Sequence, residues 1–281
     1  MNRRLLRRGF SNVMVGLMVG AVIVALLPLF FILVNLLLKG AGSLSLDFFT
    51  KTPAPAGEHG GGVVHAIIGT LLIVGVASLI GLPIGIAAGI YCAEYPTSRI
   101  TWVTRFVADV MNGTPSIVVG VFAWTWIVAK QKHFSAFAGS AALAMLMVPM
   151  VLRTSEEMIK LVPNSLREAA LALGYPRWRT SLSIVVRTTL PGIVTGSLLA
   201  VARIAGETAP LLFTALGSQY LSFNLNQPMA ALPLTVFTYA TGPYEEWHQN
   251  AWAAALVLIL VVFILSIGAR LAIRRRFDLN G

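Results

Sequence analysis

The sequence predicts an all-α polytopic membrane protein with six transmembrane helices. Hydrophobic residues make up 57% of its 281 positions and charged residues only 11%, a balance that soluble domains do not reach. The apolar residues gather in long windows, and a bilayer core about 30 Å thick needs about 20 apolar residues per helical span. These windows leave no room for a large soluble domain, so we expect one domain that is mostly embedded in the membrane.

The N-terminal basic segment, residues 1–12, leads into the first predicted span, residues 13–38. This apolar run is longer than the core of a signal peptide, which has about 7 to 15 residues. We therefore expect a retained helix whose basic flank lies in the cytoplasm. Residues 13–270 form the predicted transmembrane permease domain, and residues 271–281 form a short cytoplasmic tail.

The second predicted span, residues 63–91, carries glycines at four-residue intervals, Gly81, Gly85 and Gly89. Residues four apart lie on one face of a helix, and glycine leaves that face bare. Another helix can approach such a face closely. We therefore predict a helix interface at these three glycines.

The third and fourth predicted spans cover residues 107–129 and 134–152. The third span includes Asn-Gly-Thr-Pro-Ser-Ile-Val-Val-Gly at residues 112–120, where the Gly-Thr-Pro step interrupts the helix near its start. Backbone groups freed by such a break are tolerated at membrane depth only beside protein or a wet cavity. The motif is therefore predicted to face one of these.

The fifth predicted span, residues 190–217, contains two charged residues, whereas the sixth, residues 251–269, is uniformly apolar. Residues 218–250 lie between these spans. Their apolar part, residues 229–240, is too short to cross a bilayer. We expect residues 218–250 to form an outer re-entrant or interfacial segment.

The two charges of the fifth span are Arg203 and Glu207. An arginine at the centre of a membrane helix costs about 2.5 to 3.5 kcal/mol on insertion scales, so it needs a partner or a path to face. The four-residue spacing allows mutual neutralisation on one helix face, although arginine before glutamate is the weaker order. Alternatively, Arg203 faces a path for an anion, because a guanidinium can pair bidentately with phosphate oxygens. Glu207 would then hold the guanidinium and keep anion binding reversible.

The positions of the basic residues predict the orientation of the spans. Of the 21 Lys and Arg residues, 16 fall on the side that holds both termini and the even-numbered loops, four fall on the other side, and Arg203 lies within a span. This bias places both termini and the polar insert 153–189 in the cytoplasm. The net charge of +10 thus reflects topology in a lipid bilayer, and no nucleic-acid partner is expected.

The polar insert contains one short predicted helix between Pro163 and Pro176. Ser165 and Glu168 have the spacing of a capping box, and Gly174 is placed for the C-terminal cap. So short a helix is not stable alone, and the pattern leaves two possibilities: the helix packs beneath its own bundle, or it docks into a groove of another protein. Four residues form its apolar face: Leu166, Ala169, Ala170 and Leu173.

Two motifs resemble those of known transporters. Glu-Ala-Ala at residues 168–170, with Gly174 behind it, resembles the EAA loop of ABC importer permeases. The run Arg-Ile-Ala-Gly-Glu-Thr-Ala-Pro-Leu-Leu-Phe-Thr-Ala at residues 203–215, together with residues 112–120, strongly resembles the PstA-type permease subunits of phosphate-specific ABC importers. The resemblance extends from the second span to the sixth and implies the MetI-like fold of that family.

The resemblance also implies roles and partners. Arg203, Glu207 and Thr208 would lie on the substrate path, and the residues that couple to the ATPase would be Glu168, Ala169, Ala170 and Gly174. The implied partners in a bacterial inner membrane are a second, related permease forming a heterodimer, two ATPase subunits and an extracytoplasmic phosphate-binding protein.

The sequence predicts transport without catalysis by this chain. It has no G-x-x-x-x-G-K-[ST] loop, so ATP and Mg²⁺ would bind the partner ATPase and no cofactor is expected here. Two other functions remain open: a permease for another oxyanion such as sulfate or molybdate, and a regulatory membrane subunit. A membrane enzyme is disfavoured because no span carries a catalytic arrangement of His, Cys or paired carboxylates.

We expect no metal site. The single cysteine, Cys92, excludes an internal disulfide and any Cys-pair metal motif. The histidines lack the spacing of metal ligands and are expected in loops or at membrane interfaces. They are His59, His65, His133 and His248.

Overall fold

The computed structural model describes residues 2–55 and 60–278. In these ranges every regular element is a helix, apart from two isolated bridges between loop residues. A helix pairs its backbone groups within itself, as the core of a membrane demands. Among the four histidines, His59 lies outside the described residues.

Within the described residues, five helices are long and apolar enough to cross a bilayer, and a sixth span is obtained if one bent pair of helices is counted together. The all-α membrane fold predicted from composition is therefore confirmed. The helices are α1 (Asn2–Ala41), α2 (Leu46–Thr50), α3 (Val64–Glu94), α4 (Arg99–Gly113), α5 (Ser116–Gln131), α6 (Ala136–Lys160), α7 (Asn164–Ala172), α8 (Arg177–Ala205), α9 (Ala209–Thr214), α10 (Leu232–Thr241) and α11 (Glu245–Asp278).

The third span begins earlier than the range 107–129 that we expected, at Arg99. It consists of α4 and α5, which meet at an angle of 106°. Thr114, between them, has an extended backbone with ψ 131°, because Pro115 disfavours a helical conformation in the residue before it and has no N–H to donate. The predicted interruption is confirmed, and it turns the chain much more sharply than a kink within one helix would.

The prediction of one continuous helix over residues 190–217 is also wrong. Helix α8 ends at Ala205 with Gly206 as its C-terminal cap, and α9 begins three residues beyond Gly206, at Ala209. Gly206 has a low helix propensity, and Pro210 suits the first turn of a new helix. The fifth span is therefore broken close to its two charges.

The polar insert 153–189 is mostly helical and not a loop. Helix α6 continues to Lys160, and α8 begins at Arg177. Hydropathy marks only the part of a helix that lies in apolar surroundings, so it loses a helix where charged residues begin. Only residues 161–176 connect the two long helices, and α7 lies within this connection.

The glycine face of α3 packs against α6. A Cβ at Gly85 would lie 2.7 Å from the Cβ of Val151, and one at Gly89 would lie 2.6 Å from the Cβ of Ser155. Gly81 lies in the same way against Met147. Both rows of residues repeat every four positions, so glycine lets the two helices approach along several turns.

Helix α10 has 10 residues, too few to cross a bilayer, in agreement with the prediction for this segment. Its first residue is anchored on α3, because the N–H of Leu232 donates to Thr70 Oγ1 at 2.7 Å. Leu232 and Leu234 are buried there. The helix therefore packs against the bundle at the end of α3 that carries Val64.

Helix α1 lies largely outside the bundle. None of the most apolar window of its span, Phe10–Ala41, is buried. Its C-terminal end contacts α11, where a Cβ at Gly40 would lie 2.9 Å from the carbonyl oxygen of Trp252. Most large side chains between Phe10 and Leu38 are apolar and exposed.

Candidate functional site

The breaks in the third and fifth spans meet at one cavity of about 180 Å³. Arg203 and Glu207 reach it from the break between α8 and α9, and Asn112 reaches it from the end of α4. Two sequence motifs that lie about 90 residues apart are thus brought together. The lining residues are Met111, Asn112, Thr114, Pro115, Ser116, Leu146, Met150, Arg203 and Glu207.

A close backbone contact holds the two breaks together. A Cβ at Gly120 in α5 would lie 2.8 Å from the Cα of Pro210 in α9. Since no side chain fits between these backbones, the position requires glycine. The first turn of α5, which contributes Ser116 to the cavity wall, is therefore fixed relative to Arg203 and Glu207.

Arg203 and Glu207 do not form an ion pair with each other anywhere in the described chain. Arg203 lies in the last turn of α8, while Glu207 follows Gly206 outside that helix, so the i, i+4 geometry assumed for mutual neutralisation is lost. Arg203 is exposed and Glu207 is partly buried at the cavity. The guanidinium is therefore accessible from the cavity.

Thr208, the third residue expected on the path, precedes α9, and its carbonyl accepts from the N–H of Leu211 at 3.1 Å. It is not among the residues that line the cavity. Thr208 therefore contributes a backbone hydrogen bond to the start of α9 and does not form part of the cavity wall.

A cluster of ion pairs lies next to this cavity, and sequence reasoning missed it. Glu156 on α6 is only 1% exposed and accepts from Arg105 Nε at 2.7 Å. Lys160 Nζ lies 2.5 Å from the same carboxylate. Arg153 Nε donates to Asp109 at 3.0 Å and also reaches Glu156 at 3.4 Å.

The spacing of these residues was a usable signal. Arg105 and Asp109 are four apart on α4, and Arg153, Glu156 and Lys160 follow a helical repeat on α6. This repeat becomes visible only if α6 is extended beyond its apolar window. The cluster joins α4 to α6 on the side of the cavity that leads toward α7.

Helix α7 begins two residues earlier than predicted and without a capping box. Its N-cap is Pro163, with no side-chain cap hydrogen bond, so the prediction for Ser165 and Glu168 is wrong. A Pro at 163 leaves residue 164 as the first helical position, which moves Ser165 inside the helix. The C-terminal prediction is confirmed, because Gly174 has φ +83° and closes the helix as a left-handed cap.

One side of α7 packs on its own chain and another side is exposed. Ala170 is buried, whereas Glu168 and Ala169 are exposed. Leu173 is 79% exposed, and Leu166 and Leu171 are exposed as well. Packing beneath the bundle, one of the two possibilities that the sequence left open, is therefore observed on one side of the helix, whereas docking into another protein stays a prediction for the exposed side.

A further cavity of about 310 Å³ lies near the other end of α3. His65, Tyr239 and Trp247 line it, and burial raises the pKa of Tyr239, so the phenol stays protonated. The side chains that form its wall in the described ranges include no Lys, Arg, Asp or Glu. An inorganic anion would find no positive charge here, which distinguishes this cavity from the one that holds Arg203.

The described residues contain no group of three or more His, Cys, Asp or Glu side chains that could hold a metal ion. His65 is buried on α3 and His133 is exposed between α5 and α6. His248 Nε2 lies 2.8 Å from the carbonyl oxygen of Gly242. These three histidines therefore do not converge on one another.

Comparison with known proteins gives consistent results. The family described as "Binding-protein-dependent transport system inner membrane component" matches residues 85–278. The "Phosphate transport system permease protein PstA" of Haemophilus influenzae is 48% identical over 94% of both chains. The "Phosphate transport system permease protein PstA 1" of Mycobacterium tuberculosis is 43% identical over 78% of this chain and 74% of its own.

Solved structures show the same fold at low sequence identity. A permease chain of a bacterial ABC transporter that imports the polysaccharide alginate has a TM-score of 0.68 and 15% identity, covering 97% of this chain and 99% of its own. A chain of the MetNI methionine ABC transporter has a TM-score of 0.63 and 18% identity, covering 76% of this chain and 95% of its own. The fold is that of an ABC importer permease.

Proposed function

We propose that this chain, which belongs to the binding-protein-dependent transport system inner membrane component family, is a permease subunit that moves inorganic phosphate across the cell membrane. The observation that carries the proposal is the cavity where Arg203 and Glu207 meet the broken third span. The names of the similar proteins favour phosphate over other oxyanions.

The chemistry of the cavity suits a phosphate ion. The guanidinium of Arg203 stays charged and offers a planar pair of N–H donors that match two phosphate oxygens. Glu207 places a negative charge in the same cavity, which limits the affinity for an anion. A transported ion must bind strongly enough to enter and weakly enough to leave, and the opposed charges serve both needs.

The broken spans suit a transport path. Irregular backbone at membrane depth is stable where it lines a wet cavity, and transporters commonly build their substrate sites from discontinuous helices. Here the α4–α5 and α8–α9 breaks both reach the cavity of Arg203. Movement of either pair would change access to Arg203 without unfolding a helix.

The energy for transport would come from a partner ATPase docked on α7. The exposed apolar residues of this helix suit insertion into a groove. Of the predicted coupling residues, Glu168, Ala169 and Gly174 are exposed, whereas Ala170 is buried against its own chain. ATP and Mg²⁺ would bind two such ATPase subunits, so this chain would act without a cofactor or catalysis of its own.

The other partners would be a second, related permease and an extracytoplasmic phosphate-binding protein. The unburied apolar surface of α1 supports contact with the second permease or with lipid. The excess of Lys and Arg on one side supports an inner-membrane orientation with both termini in the cytoplasm.

The test is phosphate uptake by the assembled importer in proteoliposomes with the Arg203→Ala variant. We expect uptake to fall at least about 100-fold, because two charge-assisted hydrogen bonds worth about 1.5 kcal/mol or more each are lost. The ATPase subunits should still co-purify in full yield, since Arg203 is far in sequence from α7.

Arg187→Ala is the matched control, because Arg187 is an exposed arginine on the same helix and away from the cavity wall. Its uptake should stay within about twofold of wild type. Near-normal uptake by Arg203→Ala would contradict the proposed path. Equal competition by sulfate or molybdate would favour another oxyanion as the substrate.

A further inference from the structure

One carboxylate at the end of α3 holds two parts of the coupling segment. Glu94 is the last residue of α3. Its Oε1 accepts from the guanidinium of Arg167 on α7, and its Oε2 accepts from Ser181 Oγ at 2.7 Å. Arg167 lies beside the Glu-Ala-Ala motif, and Ser181 lies in the second turn of α8. Helix α3 therefore meets, at one side chain, two consecutive helices that lie about 70 to 90 residues further along the chain.

This junction is partly shielded from water. The side chains of Glu94 and Arg167 are 17% and 21% exposed, and Ser181 is buried. A pair with low exposure is screened less by solvent than a surface ion pair. Arg167 also donates to the carbonyl oxygen of Ile159 at 3.3 Å, which ties the same guanidinium to the end of α6.

Open space lies around the junction. A cavity of about 400 Å³ is lined by Glu94 and Tyr95 on one side and by Asn164, Arg167 and Leu171 of α7 on the other. Helix α7 packs on the first turns of α8, so α8 would follow its movement directly. The polar contacts of Glu94 bridge a gap where the packing between α3 and α7 is incomplete.

Helix α3 connects this junction to the transport cavity. Its glycine face packs on α6 along several turns, and α6 contributes Leu146 and Met150 to the cavity wall. A displacement of α3 along its axis would therefore move α6 or break their close contact. Through Arg167 and Glu94, α7 is linked to this helix pair as well as to the helix that carries Arg203.

We propose that Glu94 is a positioning residue that makes α3 and α6 follow the movement of α7 when the ATPase turns over. The inference rests on the proposed function, because it requires an ATPase that moves α7. Glu94 does not touch the transported ion. Its role is to transmit one movement to both sides of the cavity, so that ATP hydrolysis and phosphate passage remain coupled.

The experiment measures ATP hydrolysis and phosphate uptake in the same proteoliposomes, with the complete importer carrying Glu94→Gln. We expect phosphate moved per ATP hydrolysed to fall about tenfold, as expected for a loss of about 1.4 kcal/mol, while ATPase co-purification stays unchanged. The matched control is Glu157→Gln, which removes an exposed carboxylate on nearby α6 and should leave the ratio unchanged.

A second variant separates positioning from a general structural role. In the double variant Glu94→Arg with Arg167→Glu, the ion pair is rebuilt with reversed charges, and the phosphate-to-ATP ratio should recover at least threefold over Glu94→Gln. If Glu94→Gln alone assembles poorly, the double variant still tests the inference, because its rebuilt ion pair should restore assembly and the phosphate-to-ATP ratio. An unchanged ratio in Glu94→Gln, or no recovery in the double variant, would overturn the inference.

Failure of the inference differs from failure of the proposed function. If the chain does not move phosphate, the wild-type importer itself shows no uptake. If only the inference fails, wild type transports phosphate and Glu94→Gln transports it with the same yield per ATP.

Discussion

The charged residues at the Arg203 cavity differ in their pairing from those in the cluster around Glu156. In the cluster, Glu156 is almost fully buried and is contacted by Arg105, Arg153 and Lys160. In the cavity, Arg203 and Glu207 lie at the same wall without forming an ion pair with each other in the described chain. Charges that neutralise one another hold helices together, whereas charges kept apart remain available to a ligand.

The largest effect on stability should come from Glu156→Gln. This change leaves three cations beside a neutral side chain, and breaking a buried ion pair costs about 3 kcal/mol or more. Thermal or denaturant unfolding of the solubilised protein measures the loss. Glu157→Gln, the exposed neighbour, should change the free energy of unfolding by less than about 0.5 kcal/mol. If both variants unfold alike, the cluster does not stabilise the α4–α6 contact.

A smaller and different effect is expected for Glu207→Gln in the cavity. Without the opposing charge, phosphate should bind more tightly to the assembled importer and leave more slowly, lowering the uptake rate about tenfold, which corresponds to about 1.4 kcal/mol. Uptake kinetics and phosphate binding measure this. The free energy of unfolding should hardly change, because Glu207 forms no ion pair with Arg203. If Glu207→Gln lost as much unfolding free energy as Glu156→Gln, Glu207 would stabilise the fold in the same way as the cluster, contrary to our expectation.

The smallest effect should follow Asp109→Asn, at the edge of the cluster. The Asp109 side chain is 61% exposed, and exposed ion pairs contribute about 1 kcal/mol or less. Arg153 keeps its contact with Glu156 in this variant. The difference in unfolding free energy from wild type should shrink when the salt concentration is raised. A larger loss of unfolding free energy that does not depend on salt would contradict this expectation, because it would mean that Asp109 contributes as a buried charge does.

The sequence was informative where one helix face or one residue type decides the structure. The glycines at 81, 85 and 89 repeat every four residues, and the structure packs them on α6. Gly174 has the left-handed backbone that its position after α7 required. Arg203 and Glu207 were recognisable because charges are costly in an apolar window.

The sequence was less informative where long-range contacts decide the structure. Hydropathy joined residues 190–217 into one helix, although Gly206 and the residues after it break it. The sequence also offered a capping pattern at Ser165 and Glu168, but the helix begins two residues earlier, with Pro163 as its N-cap. The Glu156 cluster depends on α4 lying beside α6. The helical spacing of the charges is visible within each segment, but it does not show that the two segments are neighbours.

The contact between Gly120 and Pro210 has a consequence for biogenesis. The breaks at residues 114–115 and 206–208 each expose peptide groups that lipid cannot satisfy, and here the contact holds both breaks at one shared cavity. Neither break, in the segment 99–131 or in the segment 177–214, is therefore suited to face lipid by itself. The insertion machinery therefore has to shield the segment 99–131 from lipid while some 80 further residues are synthesised. Once the segment 177–214 has been made, the two segments can enter the bilayer together.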